Sequence, residues 1–167
     1  MSGKEGNVAQ HGRQDRLLKE HVHDPYMASK KLSEPTVCPR CHVVYSGARW
    51  QWMSETPECA YEEVCPACRR IQDKVPAGIL TLKGDFFEEH RGEIMRMVHH
   101  HIEDQMELHP MKRLMGVVEE DNENSVLLFT DTHLPRSVGE AVEHAFKGEL
   151  DIHYTKESGI VRVYWQR

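Results

Sequence analysis

Cys38-Pro39-Arg40-Cys41 and, 24 residues further on, Cys65-Pro66-Ala67-Cys68 are the two stretches on which the reading of this chain turns. Each places two thiols on one tight turn, with a proline straight after the first cysteine to preset the backbone. Two such hooks in one short segment supply four soft ligands, the set that closes a tetrahedral zinc site. A lone Cys-x-x-Cys would suit a redox dithiol or a disulfide equally well; two together favour metal. Four thiolates leave no open position for water, so one structural Zn2+ per chain is expected, held by Cys38, Cys41, Cys65 and Cys68. Its binding should contribute folding free energy directly, because the thiolates repel one another without it. Arg40, Arg69 and Arg70 lie close enough in sequence to offset the doubly negative cluster. Cys59 lacks a partner at this spacing and reads as a free thiol.

Working outward, Val44, Tyr45, Trp50 and Trp52 suit two short strands joined by a turn at Ser46-Gly47. Residues 37–76 are therefore read as a zinc ribbon. Upstream, residues 1–36 are polar and interrupted by Asp24-Pro25 and Glu34-Pro35, which predicts a mostly disordered lead-in with at most a brief helix over Gln14–Glu20. Downstream, Pro76-Ala77-Gly78 marks a boundary. Residues 77–84 are read as a linker, with Ile79, Leu80 and Leu82 apolar enough for one further strand.

From Asp85 the periodicity changes. Phe87, Ile94, Met95, Val98 and Ile102 recur at helical spacing as far as His109-Pro110. Strands follow near Arg113–Glu119 and Ser125–Thr130, with a polar turn between them. Asp131 or Thr132 can cap a second helix, whose stripe is Leu134, Val138, Ala141, Val142, Ala145 and Phe146. Lys147-Gly148 stops that helix. A last hairpin places Leu150, Ile152 and Tyr154 on one face, and Val161, Val163 and Trp165 on one face of its partner. The fold class expected is α+β: the N-terminal zinc ribbon, then a helix-strand-strand-helix-strand-strand domain over 85–167, with two helices on a four-stranded, mainly antiparallel sheet.

Charge narrows the partners. The net charge is −6 with histidine neutral, and acidic residues outnumber basic ones from residue 77 onward. That half is a poor phosphate binder. Near the cysteines, Arg40, Arg49, Trp50, Trp52, Arg69 and Arg70 interleave cations with aromatics, the mixture that contacts phosphates and stacks on unpaired bases. The alternative is that the tryptophans pack the ribbon while the arginines neutralise thiolates. His99-His100-His101, near Glu103, Asp104 and His109, resembles ligand material, yet adjacent helical residues point about 100° apart and cannot chelate one ion together. Only a pair such as His100 and Asp104 is correctly spaced. Nucleophile elbows, phosphate loops and dinucleotide fingerprints are missing, so no enzyme is expected. No apolar run predicts a membrane span, and the free-thiol pattern suits the cytoplasm.

Glu34-Pro35-Thr36-Val37-Cys38-Pro39-Arg40-Cys41, Arg49-Trp50-Gln51-Trp52, Cys65-Pro66-Ala67-Cys68-Arg69-Arg70-Ile71, Asp131-Thr132-His133-Leu134 and Val163-Tyr164-Trp165 together resemble a family of short bacterial zinc-ribbon proteins. That family looks distantly similar to the zinc-containing N-terminal region of the ribosome export adaptor of the nonsense-mediated-decay type. This chain carries one complete cysteine set where the adaptor carries more than one. The resemblance implies a binding module that touches ribosomal RNA or a ribosomal protein. The Arg/Trp grouping near the cysteines and the acidic excess elsewhere then predict a non-enzymatic adaptor whose ribbon contacts RNA or a ribosomal surface and whose acidic domain contacts a protein. The alternative is a protein-interaction or stress-linked regulatory module with no nucleic-acid role. The sequence leaves the oligomeric state open.

Overall fold

The computed structural model of the chain describes residues 24–27, 31–120 and 124–167. Most of the expected lead-in, including Gln14–Glu20, and the tip of the turn at residues 121–123 lie outside them. The described residues form a mixed α+β structure with three helices and two sheets, of four and five strands.

The small sheet is built around the first cysteine pair. Its strands β1 (Thr36–Val37), β2 (Val44–Ser46), β3 (Arg49–Gln51) and β4 (Tyr61–Glu62) lie in the order β3-β2-β1-β4. The expected hairpin is present, with Tyr45 opposite Trp50, while Trp52 falls just beyond β3. Gly47 and Ala48 turn it with positive φ of 61° and 60°. The Glu34 carboxylate accepts both of their backbone N–H groups, at 2.7 and 3.2 Å, which fixes this strained corner. The second cysteine pair opens helix α1 (Pro66–Asp73), an element the sequence reading did not anticipate. Pro66 sits in its first turn, where the missing N–H costs nothing.

The larger sheet differs from expectation in one respect that changes its architecture. Residues 77–84 are not a linker: the further strand allowed for there, β5 (Gly78–Lys83), is the middle strand of a sheet of five where four strands were expected. The order is β6-β7-β5-β9-β8, with β6 (Leu114–Glu120), β7 (Asn124–Phe129), β8 (Glu149–Thr155) and β9 (Ile160–Gln166). β5 runs antiparallel to β7 and parallel to β9, so the sheet is mixed. Pro76 and Gly84 bracket the strand so closely that it reads as connecting chain, and its parallel partner lies at the far end of the sequence.

Helices α2 (Asp85–Leu108) and α3 (Leu134–Phe146) carry most of the expected stripes, but Met95, Ala141 and Phe146 are only half-buried, and Ala145 is exposed because the last turn of α3 runs past the core. Phe87, Ile94, Val98 and Ile102 from α2, with Leu134, Val138 and Val142 from α3, bury against Leu80, Leu82, Leu127, Phe129, Val161, Val163 and Trp165 of the sheet. Gly139 lets α3 settle close to it, since a Cβ there would stand 2.8 Å from Val163 Cγ1. The N-cap of α3 is His133 rather than Asp131 or Thr132; the Asp131 carboxylate, two residues before it, accepts the N–H groups of His133 and Leu134 at 3.1 and 2.8 Å. At the other end Lys147 takes positive φ, and its carbonyl receives the Trp165 indole N–H at 2.8 Å.

Candidate metal centre

The first hook follows β1, where the Cys38 N–H donates to the Val43 carbonyl at 2.9 Å and the His42 N–H to the Cys38 carbonyl at 2.9 Å. The second begins at the N-cap of α1, where Cys65 Sγ accepts the Cys68 N–H at 3.4 Å. The Cys65 N–H in turn points at Cys38 Sγ, 3.3 Å away. Positively polarised N–H groups of a helix terminus and a tight turn thus point at the sulfurs of Cys65 and Cys38, an arrangement that opposes the cost of burying a thiolate.

All four sulfurs lie within 4.8 Å of one another, and Cys41 Sγ to Cys65 Sγ is 3.7 Å. A tetrahedron with metal–sulfur bonds of about 2.3 Å has edges of about 3.8 Å, so the cluster fits one ion and is compatible with zinc. All five cysteines are free of disulfides. Cys38 and Cys65 are fully buried, Cys68 nearly so, and Cys41 half-buried. Burial pushes the Cys38 thiol up, but the N–H donors of Cys65, Cys41 and Arg40 outweigh it and leave it lowered to about 7. Burial, together with the charge of the neighbouring sulfurs, raises Cys65 and Cys68 above the usual thiol range. The metal-free cluster therefore holds protons that an ion must displace.

The group that answers this negative charge is not one the sequence pointed to. Arg113, nine-tenths buried and directly ahead of β6, reaches over from the larger sheet. Its Nη2 donates to Cys41 Sγ at 3.2 Å and its Nη1 to Cys68 Sγ at 3.5 Å. The Arg113 Nε–H is spent on the Pro110 carbonyl at 2.7 Å, and its backbone N–H on Thr130 Oγ1 at 2.9 Å, so the guanidinium is aimed from both ends. Burial works against its charge, but the three nearby sulfurs prevail and raise its pKa. Arg113 is 72 residues from Cys41 and directly precedes an ordinary-looking strand, so no local signal marks it.

The arginines expected in this role do other things. Arg70 is buried, paired with Asp24, stacked 4.3 Å over the Tyr26 ring and bonded to the Val75 carbonyl. Arg69 pairs with Glu63. The Arg40 side chain is exposed, and its contribution to Cys38 comes from the backbone N–H. The six candidate nucleic-acid residues therefore do not form one patch. Arg49, Trp50 and Trp52 line one groove, Arg69 faces a separate pocket beside Glu62 and Glu63, and Arg70 is interior.

That groove, of about 810 Å³, lies where the small sheet meets the end of α2. Tyr45, Trp50, Trp52, Leu108 and Met111 supply its apolar wall. Trp52 also binds the two halves together: its indole N–H donates to the Met106 carbonyl at 2.9 Å, satisfying one of the open acceptors of the last helical turn. The Arg113 guanidinium sits 5.4 Å from the Trp52 ring centre. The cysteine cluster, Arg113, Trp52 and the helix terminus form one connected junction.

The histidine run contributes no ligand set. His101 bonds Ser137 Oγ at 2.7 Å and joins α2 to α3. His100 and Asp104 are 3.8 Å apart, both exposed, and lack a third ligand among the described residues. Among those residues, the four cysteines are the group of three or more His, Cys, Asp or Glu placed to hold an ion. Cys59 is exposed and stands apart from them. Among the described residues no helix is long and apolar enough to cross a membrane.

Comparison of the chain with protein-family models, curated proteins and solved structures finds no match.

Proposed function

We propose that the chain is a non-enzymatic, zinc-stabilised binding module, in which the metal fixes the small sheet against the larger one and the groove between them takes a segment of a protein partner. Zinc is the ion of choice for four thiolates arranged tetrahedrally, and saturation by sulfur leaves no position at which substrate is activated. The observation that carries the reading is the groove itself. Two tryptophans and a tyrosine face Leu108, 73% exposed at the end of α2, and Met27, 59% exposed. Aromatic and methionine side chains of this kind are over-represented where one protein captures another. Five free thiols accord with residence in a reducing cytoplasm.

A second reading, contact with RNA or a ribosomal surface, draws on Lys31, Arg49 and Lys112, which also line the groove. Against it stand Glu107 and Asp131 on the same walls, and the internal pairing of Arg69 and Arg70. Affinity purification with and without nuclease separates the two. On the protein reading, the captured set survives nuclease and is lost from a Leu108→Lys variant. On the RNA reading, it disappears with nuclease and with Arg49→Glu. If neither substitution changes what is captured, the groove is not the binding surface.

A further inference from the structure

Sheet edges expose unpaired backbone N–H and C=O groups, and folded proteins blunt them with bulges, proline, lysine or very short strands. The edge strand β6 follows that rule, with a register shift between Leu114 and Gly116. The opposite edge, β8, does not. Glu149-Leu150-Asp151-Ile152-His153-Tyr154-Thr155 pairs with β9 residue for residue without a bulge, and contains no proline, glycine or lysine. Only Leu150 reaches the core; Ile152 is 39% and Tyr154 60% exposed, although both alternate onto the apolar face.

The strand is also complementary to itself. In an antiparallel pair of two copies with the two-fold axis at Ile152, Ile152 meets Ile152, Leu150 meets Tyr154, Asp151 meets His153 and Glu149 meets Thr155. Every apolar residue thus opposes an apolar one, and each carboxylate of Asp151 opposes an imidazole. Asp151 and His153 already point to one side of the strand, where His153 Nε2 and Asp151 Oδ2 are 2.8 Å apart. Cross-strand pairs of these kinds are what stabilise a sheet. A shift by one residue would set Ile152 against a charged or polar side chain and lose the match.

We propose that β8 is a self-association edge, joining the five-stranded sheets of two copies of this chain into one continuous sheet through a two-fold axis at Ile152. Each copy covers the Ile152 and Tyr154 that the other leaves open, and each satisfies the other's backbone groups. The surface is separate from the groove beside the metal centre, so the dimer stands or falls independently of the partner proposed above.

Sedimentation equilibrium of the full, metal-loaded chain tests the inference. The wild type is expected to sediment at twice the chain mass, and Ile152→Lys, which sets two ammonium groups face to face, at the chain mass with an unchanged circular dichroism spectrum. Asp151→Lys alone opposes lysine to histidine, and His153→Glu alone opposes glutamate to aspartate. Each is expected to dimerise about tenfold or more weakly than the wild type. Mixed together, the two variants set the introduced lysine against the introduced glutamate on one side of the axis. On the other side the native pairing of His153 with Asp151 is kept, so a mixed dimer should return. Wild-type protein that stays at the chain mass throughout the micromolar range overturns the proposal. So does a mixture of the two variants that associates no better than either alone.

Discussion

Stripping the metal with a strong chelator under reducing conditions, or replacing Cys65 with serine, is expected to unfold residues 36–75 while leaving the larger sheet folded. The small unit has little else to hold it. Its strands are two or three residues long, and its buried cluster is Cys38, Val43, Cys65, Ala67 and Cys68, so three of the five residues are candidate ligands. A structural zinc of this type contributes about 10–16 kcal/mol of apparent binding free energy at neutral pH, far more than such a cluster supplies by burial. The larger sheet closes over fourteen buried residues of its own and needs no cysteine. Amide exchange checks this directly: protection should vanish over residues 36–75 and persist in β5, β7, β9 and α2. Persistent protection around Cys38 and Cys65 without metal would show that the small unit folds by packing alone.

Replacing Arg113 with methionine should produce the next largest effect. Methionine roughly fills the volume but removes the cation that faces Cys41, Cys65 and Cys68, leaving a buried negative cluster without its counter-charge. Breaking one side of a buried charge pair costs about 3–5 kcal/mol. The loss should appear both as a lower melting temperature of the loaded protein and as weaker metal retention in competition with a chromophoric chelator. Arg113→Lys keeps the charge but not the planar fork that reaches two sulfurs at once, so it should fall between methionine and wild type. A methionine variant that retains metal as tightly as wild type would reduce Arg113 to a packing residue.

The four-cysteine cluster, both long helices and the two hairpins of the larger sheet were legible in the sequence, because each is written locally. Cysteine spacing, the stripe from Phe87 to Ile102, the Asp131 carboxylate at the start of α3 and the stop at Lys147-Gly148 all act within a few residues of one another. What escaped depends on distant partners. β5 is central because Leu80 and Leu82 lie between β7 and β9, and β9 is the last strand of the chain. Arg113 is a thiolate donor only because Pro110 and Thr130 aim it across a junction. Conversely, Arg69 and Arg70 read as available cations, yet Glu63 and Asp24 stand beside them. Ile152 and Tyr154 obey the alternation that places them inward, but β8 is an edge strand and the core reaches only as far as Leu150. Alternation fixes the face of a strand, and only topology fixes whether that face is covered.

The central claim is that one zinc ion, gripped by Cys38, Cys41, Cys65 and Cys68, organises the N-terminal unit. Elemental analysis of protein purified in reductant without added metal, read beside thiol titration of the same sample, tests it most directly. The account predicts one zinc per chain with Cys59 alone reacting readily, and loss of the metal from a Cys38→Ser, Cys65→Ser variant. Reduced, fully folded protein that carries no stoichiometric metal and exposes all five thiols to the reagent would contradict it.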